Sequence, residues 1–275
     1  MRNFLIVLSI ITLVFCFTWN VQAQSMMNIK QATNEVLQDG ILMHDFENEF
    51  VIFTDCNEQD SLKRGIANQY GWVITTNIGS CTTYVSNPDS FGGVWYIRTE
   101  GAKENTGINI QWNNECIKCD SDHVVTFEAR IKIDSAYATQ SDVMAGFTRR
   151  NTAIDSIYDA GNLDGAYFYK KDGALDIWAT TLKDTVHFDS TDTQLNLWSS
   201  AQASWVKYKI LWDGLRFHFT VSNDTLVKAV VLDSSAILPV DELFTPTINI
   251  LTGSAAAGIY QIDYMVAKSY RRKGR

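Results

Sequence analysis

Proline is nearly missing from this sequence, with 3 in 275 residues, which excludes a proline-rich stalk or linker. Charged residues reach only 20%, too few for a disordered polyelectrolyte. Histidine is scarce, and His123, His187 and His218 stand alone, with no partner at a spacing that marks a catalytic or metal site. No GxSxG nucleophile elbow, P-loop or dinucleotide fingerprint occurs. No repeat of about 20–50 residues recurs, so propellers and solenoids are excluded. The formal charge of -8 argues against a nucleic-acid groove.

Long apolar runs are limited to one, at the start. Arg2 precedes a mostly apolar stretch over residues 4–19, and Val21-Gln22-Ala23 offers small or apolar residues for a signal peptidase. The run is short for a membrane span, so residues 1–23 read as a secretory signal cut after Ala23. Cys16 does not make a lipobox, because bulky Phe15 precedes it. Cleavage leaves 22 bases against 31 acids, a charge of -9, with no membrane segment remaining. Arg271, Arg272, Lys273 and Arg275 form a basic tail over residues 271–275, read as a solvated terminus. The expected place is secreted or extracellular, with periplasm or cell surface as variants.

Cys56, Cys81, Cys116 and Cys119 then remain, an even number in an exported chain, which points to two disulfides. Three pairings exist. The simplest closes Cys116 on Cys119 and leaves Cys56 with Cys81. A four-thiolate zinc site is the rival, but it usually shows two CxxC pairs and here there is one.

What is abundant is aromatic residues, at 12%, and alternation. One helix is expected, within the N-terminal segment of residues 24–40, where Ile29, Ala32, Val36 and Leu37 share a face and Gly40 stops it. Strands dominate afterwards. Val94-Trp95-Tyr96-Ile97-Arg98 and Ile108-Asn109-Ile110-Gln111-Trp112 read as a pair. Residues 125–133 alternate with the odd positions apolar, one face buried and one wet. Residues 166–169 turn at Lys171-Asp172-Gly173 into residues 175–179. Residues 205–212 turn at Asp213-Gly214 into residues 216–221, and Ser222-Asn223-Asp224 leads into residues 226–231. About a dozen or more strands with almost no helix indicate an all-β sandwich or barrel, with residues 41–270 as one domain.

Several motifs in order carry a resemblance. They are Phe127-Glu128-Ala129-Arg130-Ile131, Ala145-Gly146-Phe147, Asp164-Gly165-Ala166-Tyr167-Phe168, Trp205-Val206-Lys207-Tyr208, Trp212-Asp213-Gly214 with Phe217-His218-Phe219, Ile237-Leu238-Pro239 with Asp241-Glu242-Leu243, Gly253-Ser254-Ala255-Ala256-Ala257 and Ile262-Asp263-Tyr264. This block resembles the concanavalin A-like lectin/glucanase superfamily, including laminin G-type members, and is similar to lectin-like domains of phage virion proteins. The resemblance implies a two-sheet antiparallel jelly roll.

The fold hosts enzymes and binders, so function must come from the site. Glucanase members carry paired acids on one strand face, as retaining hydrolysis needs. Here the nearest approach is Asp45-Phe46-Glu47-Asn48-Glu49, in the wrong order and at the start of the chain. Glu128 and Asp134 are too far apart along their strand. No catalytic residue is assigned. Sugar recognition asks for an exposed aromatic platform and planar polar groups. Trp198 and Asn196, in a polar stretch, are the candidates, with Asn162 and Asp164 from a second loop. Trp72, Trp95 and Trp112 are expected in the core, and Trp178 and Trp205 packed on strands. Calcium, the partner the resemblance implies, would find oxygen ligands in Asp155, Asp159, Asn162 and Asp164 beside Gly161 and Gly165. Asn223-Asp224-Thr225 matches a glycosylation sequon but reads as a turn.

The leading expectation is an exported, non-catalytic lectin-like module that binds a glycan or polysaccharide or coats a surface, its oligomeric state open. A polysaccharide-degrading glycoside hydrolase using Asp45, Glu47 or Glu49, and a virion or cell-surface structural subunit, are the alternatives.

Overall fold

Residues 123–133 hold the middle of a sheet, and the reason is visible in their alternation. In strand β9 (His123–Ile133) Val125, Phe127, Ala129, Ile131 and Ile133 are fully buried, while the residues between them face outward. In this computed structural model the described residues are 35–38, 41–44, 49–54, 72–77, 81–86, 94–99, 106–134, 139–150, 164–174, 176–183, 187–196, 205–223, 226–232, 238–253 and 258–272. Of the described residues within 35–54, 76–86 and 187–196 only the backbone is described, together with the Ile52 side chain.

Two antiparallel sheets face each other. The ten-stranded sheet runs β1 (Glu35–Gln38), β2 (Ile41–His44), β3 (Glu49–Thr54), β18 (Ile259–Arg271), β9, β14 (Trp205–Trp212), β15 (Phe217–Ser222) and β16 (Val227–Leu232). On the edge where β3 pairs with the second half of β18, its first half pairs with β6 (Val94–Thr99), which in turn holds β5 (Cys81–Ser86). The eight-stranded sheet runs β13 (His187–Asn196), β12 (Asp176–Lys183), β11 (Gly165–Lys170), β10 (Ser141–Thr148), β17 (Leu243–Thr252), β7 (Gly107–Trp112) and β4 (Trp72–Asn77), with the short β8 (Ile117–Lys118) paired to β17.

The expected hairpins form. β11 pairs with β12 and Gly173 takes a φ of 72° between them. β14 pairs with β15, but its last partners are Trp212 and Phe217, so the loop holds four residues rather than the Asp-Gly pair alone. Asp213 Oδ1 accepts the backbone N–H groups of Leu215 (2.8 Å) and Arg216 (2.9 Å), and Gly214 supplies the positive φ of 88°. Asn223 makes the next turn, its Oδ1 accepting Leu226 N–H at 2.8 Å, in accord with the turn reading of the sequon.

Three expectations are corrected. Residues 35–38, placed in the N-terminal helix, are strand β1, and the rest of that segment lies outside the described residues. Gln38 pairs with Ile41, so the residues joining β1 to β2 are Asp39-Gly40, the same dipeptide that signals a hairpin elsewhere. Second, β6 and β7 do not pair with each other. β6 joins β18 and β5, whereas β7 lies between β17 and β4 in the other sheet. Third, Cys116 and Cys119 are free thiols. Pairing of Ile117 with Phe244 keeps this segment extended, which separates the two Cα atoms by about 10 Å, beyond the roughly 7 Å a disulfide tolerates. Burial pushes the Cys116 thiol up to about 12 and Cys119 further still, so both stay protonated and unreactive. Cys56 and the Cys81 side chain lie outside the described residues.

The aromatic surplus fills the space between the sheets. Trp72, Trp95 and Trp112 are buried as expected, beside Phe127, Phe147, Phe168, Phe217 and Phe219. Trp72 meets Trp112 edge to face at 5.3 Å, and Phe168 meets Phe219 likewise at 5.2 Å. Tyr208 sits in this core fully buried, and its hydroxyl has no hydrogen-bond partner. Tyr208→Phe therefore raises unfolding stability by about 1 kcal/mol, because it removes a desolvated group and no bond. Urea titration checks this, and a loss of stability refutes it.

Candidate functional site: the outer face of the eight-stranded sheet

Most strands alternate between core and solvent, but β7, β10 and β11 are buried on both faces. Their inner residues enter the aromatic core. Their outer residues form a second surface, put together by register across strands distant in sequence. Thr75 pairs with Asn109, Asn109 with Asn249, Asn249 with Met144, Met144 with Tyr169 and Tyr169 with Trp178. Directly paired residues point to the same face, so these six form one row across the sheet.

The row changes character along its length. At one end Tyr169 and Trp178 are stacked, with centroids 6.4 Å apart and planes 18° from parallel, and Met144, Tyr167 and Leu251 pack beside them. Trp178 is the half-exposed member, and Tyr169 and Met144 lie beneath the surface. At the other end stand planar amides. Gln111 Nε2 donates to Thr247 Oγ1 (3.0 Å), Thr148 Oγ1 (3.1 Å) and the Arg149 carbonyl (3.1 Å), and is thereby fixed. Asn249 differs. It is 0% exposed, and neither its amide nitrogen nor its amide oxygen has a hydrogen-bond partner. An amide left so costs roughly 1–3 kcal/mol, so the position asks for a polar partner the chain does not supply. Three strand spacings separate Asn249 from Trp178, about 14 Å.

No family model matches this sequence, and no curated protein matches it. Solved structures do match its shape. Arcelin-5, a lectin-like defense protein from Phaseolus vulgaris, superposes with a TM-score of 0.54 at 6% identity, over 82% of this chain and 99% of that one. A protein of unknown function from Shewanella oneidensis MR-1 gives 0.55 at 16% identity, over 83% and 89%. The exoplasmic/lumenal domain of VIP36, solved bound to Ca2+ and Man3GlcNAc, gives 0.52 at 8% identity, over 81% and 91%. The fold is a concanavalin A-like jelly roll.

On this jelly roll the sequence-predicted site residues scatter. Trp198, Asn162, Asp155 and Asp159 lie outside the described residues. Asn196 ends β13 and pairs with Asp176, two residues before Trp178. Asp164 sits before β11 at the opposite end of the strands. It is buried, its Oδ2 lies 3.9 Å from Arg149 and its Oδ1 has no partner.

Asp142 and Asp172 lie near enough to interact at one end of this face. Asp142 and Asp164 are both buried, but they sit at opposite ends of β10 and β11, roughly 20 Å apart, where a glycosidase pair needs about 5 to 10 Å. Burial pushes the Asp142 carboxyl up, and the Asp172 N–H donates to it at 2.7 Å. Glu49 opens β3 in the other sheet, and Asp45 and Glu47 lie outside the described residues.

His123 and His218 prove not to be alone. His123 Nδ1 lies 2.6 Å from Asp120 Oδ1, and His218 Nε2 lies 2.8 Å from Asp213 Oδ2. Burial raises both carboxyls, but the histidine bonds and the backbone N–H groups outweigh it and hold them below the usual range. The Trp212 indole donates to the Asp120 carbonyl at 2.7 Å, so these pairs clasp two neighbouring turns. No group of three or more His, Cys, Asp or Glu side chains fit for a metal occurs among the described residues.

The sequence reading passed over Asn109, Gln111 and Asn249. The signal was there, in planar amides alternating with Ile, Trp and Leu along β7 and the second half of β17.

Proposed function

We propose that this protein is an exported, non-catalytic carbohydrate-binding module, with glycan held on the outer face of the eight-stranded sheet. The observation that carries the reading is the row from half-exposed Trp178 over Tyr169 to the unpartnered amide of Asn249. An indole offers a flat apolar surface for a pyranose, and binding that uncovers the buried Asn249 amide gives its hydroxyls both a donor and an acceptor. We assign Asn196 and Trp198 to the same ligand. Export rests on residues 1–23.

Calcium belongs to the same reading. Asp164, with Asp155, Asp159 and Asn162 before it, supplies the oxygen ligands, and the unpartnered Asp164 Oδ1 is the atom that supports this.

A panel of neutral oligosaccharides and polysaccharides, probed in calcium and then in chelator, tests the reading. The expected result is a ligand whose affinity falls about tenfold or more in Trp178→Ala, the equivalent of about 1.4 kcal/mol of lost stacking. Affinity also falls in chelator and in Asp164→Asn. A panel without any ligand sinks the glycan reading, and release of reducing sugar replaces it with the hydrolase.

A further inference from the structure

Among the described side chains, the outward face of the ten-stranded sheet carries charge of the opposite sign to the whole chain. Its strands present Arg98 on β6, Arg130 and Lys132 on β9, Lys207 and Lys209 on β14, and Lys268 on β18, each at a position alternating with buried core residues. Register places them side by side. Lys207 is opposite Arg130, Lys209 opposite Glu128, and Lys268 opposite Thr126. Among the described side chains of this face Glu128 and Asp263 oppose them, with Asp134 just past the end of β9. Lys207 Nζ bonds Glu128 at 2.6 Å and Arg130 bonds Asp263 at 2.7 Å. Arg98, Lys132, Lys209 and Lys268 are left with no carboxylate partner.

An aromatic lies among them. Trp205 is half-buried opposite Lys132, with the Arg130 guanidinium 4.8 Å and the Lys132 ammonium 5.9 Å from its ring centroid. A protein with a formal charge of -8 thus keeps an excess of cations on one flat, wet sheet face beside an indole. Charge segregated in this way draws a negatively charged partner to one side of the molecule.

We infer that this face binds an acidic polysaccharide, one bearing uronate or sulfate groups. Charge spacing chooses it over nucleic acid. Strand geometry sets Lys209 about 14 Å from Lys132 and about 12 Å from Lys268, whereas duplex DNA carries a charge every 1.7 Å or so of its axis. A uronate chain carries one acid per ring, a wider charge spacing than that, and its rings suit the Trp205 face. The inference goes beyond the neutral-glycan site, because it uses the other sheet and none of its residues.

The test is retention of the full chain on immobilised polygalacturonate and heparin, eluted with rising salt, with duplex DNA measured under the same conditions. Retention at low salt is expected on both acidic polysaccharides. The combined Lys132→Gln, Lys209→Gln and Lys268→Gln variant loses affinity about tenfold or more, and the matching Lys→Arg variant keeps it. Lys209→Glu alone, at an exposed position, gives a smaller loss with no burden on folding. Passage of the unaltered protein through both columns overturns the inference. So does equal retention of the glutamine variant, or tighter binding of DNA than of either polysaccharide. None of these outcomes depends on whether a neutral glycan is found.

Discussion

Replacing Gly146 by alanine lowers unfolding stability by about 3 kcal/mol, at the upper end of what overpacking does. The sign is not obvious beforehand. Glycine inside a strand is weaker than alanine by roughly 0.5–1 kcal/mol, so an open site gains from the change. Gly146 is not open. A Cβ there stands 2.4 Å from the Ala166 carbonyl oxygen, 2.6 Å from Tyr167 Cα and 2.7 Å from Tyr167 Cβ. Two of these atoms are backbone and the third is fixed to it, so no side-chain rotation relieves the clash. The β10 and β11 strands must move apart where Gly146 faces Tyr167. On its other side Gly146 faces Thr247, whose hydroxyl holds Gln111. The glycine therefore sits between the amide end and the aromatic end of the outer face. Glycan affinity falls together with stability in Gly146→Ala, while Gly173→Ala, with nothing within 4 Å of its Cβ, carries only the strain of a positive φ. Urea denaturation and far-ultraviolet circular dichroism decide it. A change below about 1 kcal/mol at Gly146 shows that the two strands tolerate the displacement.

That glycine also shows where the sequence stopped being informative. Alternation along β9 and the Asp-Gly turn after β14 are local patterns, and both the strands and their buried faces follow from them. The segment before Gly40 was ambiguous for the same reason. Val36 and Leu37 fit a helical stripe as well as a strand, and pairing of Val36 with Met43 across the sheet edge decides for the strand. The Cys116-Ile117-Lys118-Cys119 spacing suggests a bridge only while the backbone between is free to curl. Phe244, more than a hundred residues away, holds it extended. The candidate site is less legible still. Asn109 and Asn249 are ordinary polar positions in their own strands. They become a site because β7 and β17 pair in one register, with β10, β11 and β12 continuing the row. A slip of one residue in any of these pairings turns a side chain to the core, so the row is a product of topology rather than of any motif.

Lys170 gives the second large effect, and its direction is opposite to that of a paired lysine. The residue lies on β11 with 1% exposure, and its ammonium donates to the carbonyls of Ser141 (2.7 Å) and Lys171 (2.9 Å). Burial lowers its pKa from 10.5 to about 8, with nearby Asp142 and Asp172 opposing the shift. Below pH 8 the folded and unfolded chains both hold the proton, and the folded protein bears the full desolvation penalty. Between about 8 and 10.5 the unfolded chain binds more protons than the folded one, so stability rises with pH across that window. Integrated over the shift, the gain is about 3 kcal/mol. The thiols of Cys116 and Cys119 act the other way. Burial keeps them protonated in the fold while their unfolded counterparts ionise from the ordinary value of 9.0 upward, which removes stability there. The quantity to measure is therefore the difference between the unaltered protein and Lys170→Met, in which the thiol contribution cancels. That difference moves by about 3 kcal/mol in favour of the unaltered protein as pH rises from neutral to 10.5. A difference that stays flat across the window means that Lys170 keeps its proton, held by the two carbonyls and the acids beside it. One that falls means that the ammonium stabilises the fold.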